Sequence, residues 1–212
     1  MKDLVSLIAA YLIGSIPSSV WIGKYFYGVD VREYGSGNAG ATNTFRVLGR
    51  KAGIPVLAID VLKGWVAVNI SWFSRYTVGS EPYVNFQLVL GVSSLLGHIF
   101  PIYVGFRGGK GIATLLGILL AVHLEAAVFS AAVFLVFLFT FKYVSLGSIM
   151  AAITFPLSIL FIFKPAVPSL VIFSVAVAVL VLITHQKNIG RLLRKEESKV
   201  SLFKNKTDKN SS

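Results

Sequence analysis

Three polar clusters interrupt an otherwise apolar chain. The first runs Tyr34-Gly35-Ser36-Gly37-Asn38-Ala39-Gly40-Ala41-Thr42-Asn43-Thr44-Phe45-Arg46, with three glycines, four hydroxyl or amide side chains ahead of Thr44, and a closing arginine. A tract of this kind can surround an anion with backbone and side-chain donors. Gly35, Gly37 and Gly40 formally match Gly-x-Gly-x-x-Gly, but no β-strand precedes them and apolar runs flank them, so a dinucleotide fold is rejected. A tight turn capped by Asn38 or Thr42 is the plainer reading of the same residues and is compatible with an anion site. The second cluster pairs Gly97-His98-Ile99-Phe100-Pro101 with Gly105-Phe106-Arg107-Gly108-Gly109-Lys110-Gly111-Ile112-Ala113-Thr114. Its Gly-Gly-Lys-Gly invites comparison with a nucleotide P-loop, yet position 104 is Val and Gly111 follows the lysine, so that pattern fails. Glycine-rich backbone at a helix start still offers free N–H groups and a positive dipole end to phosphate, and Lys110 adds a point charge. The plainer reading is a sharp loop with basic topology signals. The third cluster, His185-Gln186-Lys187-Asn188-Ile189-Gly190-Arg191, places His185 and Asn188 three apart on one helical face, where imidazole and amide can address one ligand. Taken alone it also reads as a basic interfacial tail.

The elements that must position these clusters are membrane helices. Of 212 residues, 55% are hydrophobic and only 14% charged, and apolar stretches near the spanning length of about 20 residues recur along the chain. Spans are expected at about Leu4–Val20, Ile54–Phe73, Phe86–Val104, Ile149–Phe163 and Pro168–Thr184, with a long apolar tract from Gly111 to Phe141. The first of these is kept as a span and not as a signal peptide, since little positive charge precedes it and more membrane follows. As a single helix the long tract would measure about 46 Å, too long for one untilted crossing of a core about 30 Å thick. Basic residues mark residues 24–51, the loop near 105–110 and the tail after 185, and the positive-inside rule puts all three in the cytoplasm. With the N-terminus outside, that parity requires the tract to cross twice, turning near His123 and Glu125. An all-α protein of seven transmembrane helices with a cytoplasmic C-terminus is therefore expected, its two short members about 14 and 16 residues. A five-helix alternative with one tilted span and an outside tail stays open. Residues 1–198 read as one domain, and 199–212, rich in Lys, Asn, Ser and Thr, as a basic, disordered cytoplasmic tail.

Composition narrows the chemistry further. Lys plus Arg number 20 against 9 Asp plus Glu, a net +11 that in a soluble chain would point to nucleic acid. Here the basic residues lie between and after the apolar runs, where they set topology and meet phosphates, so no nucleic acid partner is expected. There is no cysteine and only three histidines, so disulfide, thiolate and metal chemistry recede. Asp60 and Lys63 lie inside a span at i,i+3 spacing, either neutralising each other or serving a site. His-x4-Asp, the dyad of one large acyltransferase class, follows none of the histidines.

Together, Ser-Gly-Asn-Ala-Gly-Ala-Thr-Asn at 36–43, Gly-His-Ile-Phe-Pro through Gly-Gly-Lys-Gly-Ile-Ala-Thr at 97–114 and His-Gln-Lys-Asn-Ile-Gly-Arg-Leu at 185–192 resemble the three signatures of the bacterial acyl-phosphate:glycerol-3-phosphate acyltransferases, the PlsY family. The resemblance spans residues 1 to about 198, with the motifs in family order. Lys195 departs from it, standing where members often carry glycine, while the acid two places on is kept as Glu197.

The resemblance implies a multi-pass enzyme of the bacterial inner membrane with a cytosolic site. It would transfer a fatty acyl group from acyl phosphate to the 1-hydroxyl of glycerol 3-phosphate, the first acylation of phospholipid synthesis. Carried over by position, Ser36, Arg46, Lys110, His185 and Asn188 are the catalytic candidates. Asn38, Thr42 and Asn43 would frame the acyl-phosphate head, and Gly105, Gly108, Gly109 and Gly111 would bring backbone to a phosphate. No cofactor or metal is implied, and the partners are the two substrates and membrane lipid. The general base stays open between His185 and a phosphate oxygen of the donor. An organic-phosphate or anion transporter is the alternative from another class, although polar clusters at one interface and the lack of an internal repeat speak against it.

Overall fold

Where lipid replaces water, each apolar run satisfies its backbone groups internally, and the chain leaves the helical state only where polar or glycine-rich residues supply other partners. The computed structural model of the protein describes residues 1–164 and 167–200, and its regular elements are all helical. They are α1 (Lys2–Gly14), α2 (Ser18–Tyr27), α3 (Ala41–Leu48), α4 (Arg50–Asn69), α5 (Glu81–Ile99), α6 (Ile112–Val122), α7 (Leu124–Phe141), α8 (Val144–Ser158), α9 (Pro168–Thr184) and α10 (Gln186–Leu193), with short 3-10 or π turns between them. Among the described residues, four segments are long and apolar enough to span, namely Arg50–Phe73, Glu81–Val104, Leu124–Phe141 and Val144–Phe163. Two bent pairs, α1 with α2 at 41° and α9 with α10 at 62°, raise the number to as many as six.

The bends and breaks have local causes. Pro17 cannot donate to the helical ladder and pushes Ile16 out of helical geometry, so the expected first span becomes the bent pair α1 and α2. The long tract from Gly111 to Phe141 is divided at His123. That residue takes extended backbone angles, and its Nδ1 accepts a bond from the Ala126 N–H at 3.3 Å, capping α7. The halves are 11 and 18 residues, more uneven than the sequence predicts, because α6 starts only at Ile112 and the cap at His123 ends it early.

Helix contacts in this bundle depend on small residues, since lipid gives apolar side chains no reason to prefer protein. α4 packs on α6 through Gly64, which lies against the Thr114 carbonyl, and Gly117, which lies against the Val61 carbonyl. α1 packs on α5 in the same way, with Gly14 against the Ser94 backbone and Gly97 against the Tyr11 carbonyl. One end of the bundle then gathers the loops. Arg32 donates to the carbonyls of Val104 (2.8 Å) and Arg107 (3.4 Å), tying the loop before α3 to the loop before α6. Lys195, at φ +60°, turns the chain after α10, and the Val200 N–H reaches the Lys142 carbonyl at 2.8 Å. Of the tail expected from residue 199, Lys199 sits over the Tyr143 ring and Val200 is docked, while 201–212 lie outside the described residues.

A side chain at position 117 has no room against the α4 backbone. Gly117→Val is expected to lower stability by at least about 2 kcal/mol, read as a fall in the thermal midpoint in detergent, whereas Val136→Leu on an exposed face leaves the midpoint nearly unchanged.

Candidate active site

The first cluster is shaped by one buried amide. Asn43, 1% exposed, accepts from the Ser36 N–H (2.8 Å) and donates to the carbonyls of Val31 (2.7 Å) and Tyr34 (3.1 Å). Its hydrogen-bonding capacity goes to the loop itself, so it holds the loop shape while Ser36 and Thr42 face outward. Gly35 and Gly37 take positive φ (+61° and +73°), and a side chain on Gly35 would meet the Asn43 amide. Ser36 is left exposed, with Asn38 Nδ2 donating to its Oγ at 3.3 Å. Thr42 and Arg46, four apart on α3, are both exposed on one face.

The second cluster docks on the first. The Ala39 N–H donates to the Gly108 carbonyl (3.4 Å), and Gly108 and Gly109 donate back to the carbonyls of Ile99 (3.1 Å) and His98 (3.3 Å). Neither glycine has room for a Cβ, Gly108 against the His98 and Ile99 carbonyls and Gly109 against His98 Nε2 and the Ala39 carbonyl. Gly105 and Gly111 have φ of +70° and +80°, the first open to solvent and the second at the start of α6. These glycines therefore let one loop thread between α5 and the first cluster and deliver Lys110 at the N-terminal end of α6.

Lys110 meets the third cluster. Its ammonium donates to Asn188 Oδ1, whose Nδ2 donates to Glu197 Oε1 at 2.6 Å. Glu197 also accepts from Arg191 Nε (2.6 Å) and Ser145 Oγ (2.8 Å). Burial alone would raise the Glu197 carboxyl, but its bonds from Arg191, Asn188 and Ser145 outweigh that and hold it below the usual range. Burial pushes the Lys110 ammonium down to about 8; the charge of Glu197 opposes this, while Arg191 and Arg46 reinforce it. His185 is 3% exposed, and its Nδ1 lies 2.8 Å from the Val181 carbonyl. A carbonyl only accepts, so Nδ1 carries the proton and Nε2 keeps its lone pair.

Of the residues expected from sequence, Arg46, Lys110, His185 and Asn188 thus gather in one electrostatic group. Ser36 and Asn38 stay on the first loop, which touches the second through the Ala39–Gly108 bond, while Asn43, Gly108, Gly109 and Gly111 act inside the scaffold. Arg191 and Glu197 were not among the site residues. Arg191 lies three after Asn188, a spacing that signals a shared face. Ser145 carried no local signal, because its link to Glu197 spans 52 positions.

A bundle of apolar helices with cations, an imidazole and glycine-rich loops at one end defines an integral-membrane protein with a candidate anion site at that end. Comparison with known proteins gives the family. The chain belongs to the glycerol-3-phosphate acyltransferases, whose family model, described as "Glycerol-3-phosphate acyltransferase", matches residues 4–195. It is 43% identical over 208 residues to the glycerol-3-phosphate acyltransferase of Enterococcus faecalis, covering 95% of this chain and 93% of that one. Against the enzyme of the same name from Trichlorobacter lovleyi it is 45% identical over 193 residues, covering 91% and 95%. The fold is similar to the crystal structure of PlsY (YgiH), an integral membrane glycerol 3-phosphate acyltransferase, in its glycerol 3-phosphate form. That match has a TM-score of 0.84 and 38% identity over 95% of this chain and 96% of that one. The lysophosphatidic acid form of the same enzyme matches with a TM-score of 0.81 and 37% identity, over the same shares.

Lys110 is charged below about pH 8 and neutral above it. Affinity for a phosphate monoester, measured on the purified protein by calorimetry, is expected to fall as pH rises through that value. Lys110→Arg, whose charge persists, should flatten the profile.

Proposed function

We propose that the chain transfers a fatty acyl group from acyl phosphate to the 1-hydroxyl of sn-glycerol 3-phosphate, giving lysophosphatidic acid and inorganic phosphate. The single observation that carries this reading is the hydrogen-bonded chain from Lys110 through Asn188 to Glu197 and Arg191, with Arg46 and His185 within electrostatic reach of Lys110. The surplus of positive charge suits two phosphate-bearing substrates.

Acyl phosphate is a mixed anhydride, so its carbonyl is already activated and phosphate leaves readily. The protein has to hold two anions, align a hydroxyl and stabilise the tetrahedral charge; no acyl-enzyme is needed. In this reading Lys110 and the backbone of 105–111 hold the glycerol 3-phosphate phosphate, and Asn188 keeps the ammonium aimed. Ser36, Asn38 and Thr42 frame the donor head, and Arg46 meets developing negative charge. The 1-hydroxyl oxygen bonds to the acyl carbon as the carbon–oxygen bond to phosphate breaks. Its proton passes to the free Nε2 of His185 or to the departing phosphate. The acyl chain lies between helices, open to lipid.

In this reading the short α6 crosses as well as the four spans and the two bent pairs, which makes seven crossings, with the N-terminus outside and the site in the cytosol of a bacterial inner membrane. The basic residues support this orientation. Lys24, Arg32, Arg46, Arg50, Lys51, Arg107, Lys110, Lys187 and Arg191 accompany the site loops, while Arg75 pairs with Asp3 at the start of α1.

Offered labelled glycerol 3-phosphate with acyl phosphate, acyl-CoA or acyl carrier protein thioester in turn, the purified protein is expected to form lysophosphatidic acid from acyl phosphate alone. Product from a thioester only would reassign the donor, and no product from any donor would reject the reaction. Orientation is read from single cysteines, which are unique labels in a chain with none. In spheroplasts an impermeant maleimide should label Val78→Cys directly and Arg107→Cys only after permeabilisation.

A further inference from the structure

Beneath the site loops lies a second group of ionisable side chains that the reaction does not use. Asp60 and Lys63 on α4 are 1% and 4% exposed and pair at 2.9 Å. Lys63 Nζ also donates to the Ile16 carbonyl (2.8 Å) and Ser18 Oγ donates to Asp60 Oδ1 (2.7 Å), so the pair grips both sides of the α1–α2 break. The same Oδ1 lies 3.8 Å from His98 Nδ1, which is 2.9 Å from Thr114 Oγ1. Asp60 Oδ2 has no hydrogen-bond partner among the described residues, and it belongs to a residue lining a small cavity with Lys63, Ser18, His98, Ala39 and Gly108. Ala39 belongs to the first signature and Gly108 to the second, so the cavity touches both loops of the site.

His98 is the link between this pair and the site. Its carbonyl accepts from the Gly109 N–H at 3.3 Å, and its Nε2 faces Gly109 with no room for a side chain between them. Gly109 immediately precedes Lys110. The Thr114 hydroxyl bonds the imidazole, the glycine loop packs against its Nε2, and the Asp60 carboxylate lies beside its Nδ1 at 3.8 Å, longer than a hydrogen bond, so that the imidazole sits between the pair and the loop whose height it sets. Intramembrane charges are costly, and an internal pair that only neutralised itself would not need a histidine and a loop gathered round it.

We propose that the buried Asp60–Lys63 pair is a positioning device for glycerol 3-phosphate binding, acting through His98 to hold the 108–110 backbone and the Lys110 ammonium in register with the first signature. This rests on the reading of 105–111 as the loop that holds the phosphate of glycerol 3-phosphate. A loop that binds substrate and transition state alike governs KM more than kcat.

The test is steady-state acyl transfer by purified variants at saturating acyl donor. Asp60→Asn, which keeps the shape and the Ser18 bond, is expected to raise KM for glycerol 3-phosphate at least about tenfold while kcat changes less than about threefold. The double variant Asp60→Leu, Lys63→Met leaves no unpaired buried charge and should keep the raised KM. Thr114→Val loosens His98 without touching the pair and should shift KM the same way. A wild-type KM in the double variant would overturn the proposal, since the pair would then serve only to bury itself. So would a reduced kcat at wild-type KM in Asp60→Asn, the mark of a smaller folded fraction. If both Asp60 variants fail to accumulate, Thr114→Val decides, and an unchanged KM there rejects the proposal. Saturable acylation of glycerol 3-phosphate by the unmodified protein is the separate control, whose failure would reject the assigned reaction and not the positioning role.

Discussion

Cations that must share a small site repel one another, and unit charges about 4 Å apart near a protein surface interact by about 4 kcal/mol. Arg46 and Arg191 both lie within electrostatic reach of Lys110, whose ammonium burial already pushes down. Glu197 makes the assembly tenable. It takes bonds from Arg191, Asn188 and Ser145, and so ties α10 to the start of α8 while offsetting part of the charge. A single carboxylate does not neutralise three cations, and the residual field is available to a phosphate dianion. The surplus of positive charge at the candidate site and its internal repulsion thus have one source.

That arrangement depends on loops from distant parts of the chain keeping their relative heights. The bundle supplies this with backbone contacts instead of side-chain ones: Ala39 to Gly108, Gly108 to Ile99, Gly109 to His98 and Val200 to Lys142. Such contacts need glycine, because a Cβ at 108 or 109 would collide with neighbouring backbone or with His98. Asn43 does the same for the first loop by filling its amide with backbone partners. Of the glycines expected to admit a phosphate, Gly108 and Gly109 first of all admit the protein's own chain.

The membrane sets the remaining terms. Where helices approach through Gly14, Gly64, Gly97 and Gly117, dispersion contacts between backbones stand in for a hydrophobic drive that lipid removes. Polar groups drawn into that interior must find partners there, as Ser18, Asp60, Lys63, His98 and Thr114 do with one another. The break between α1 and α2 exposes the Ile16 carbonyl, and the Lys63 ammonium satisfies it.

The sequence by itself determined the helical class, the approximate spans, the division of the 111–141 tract near His123 and the three polar clusters, because hydropathy, glycine and charge act locally. The family followed from the order and composition of those clusters. Tertiary structure alone decided how the members of each cluster are used: it turned Asn43 inward to the loop, bonded Asn188 to Lys110, and gathered Asn188, Arg191 and Ser145 on Glu197. It also decided that α6 is only 11 residues long and that the first span bends by 41°. The physical reason is the range of the interactions. Caps and turns are set within a few residues, whereas the bonds from Ser145 to Glu197 and from Lys110 to Asn188 cross 52 and 78 positions and exist only once the helices have packed.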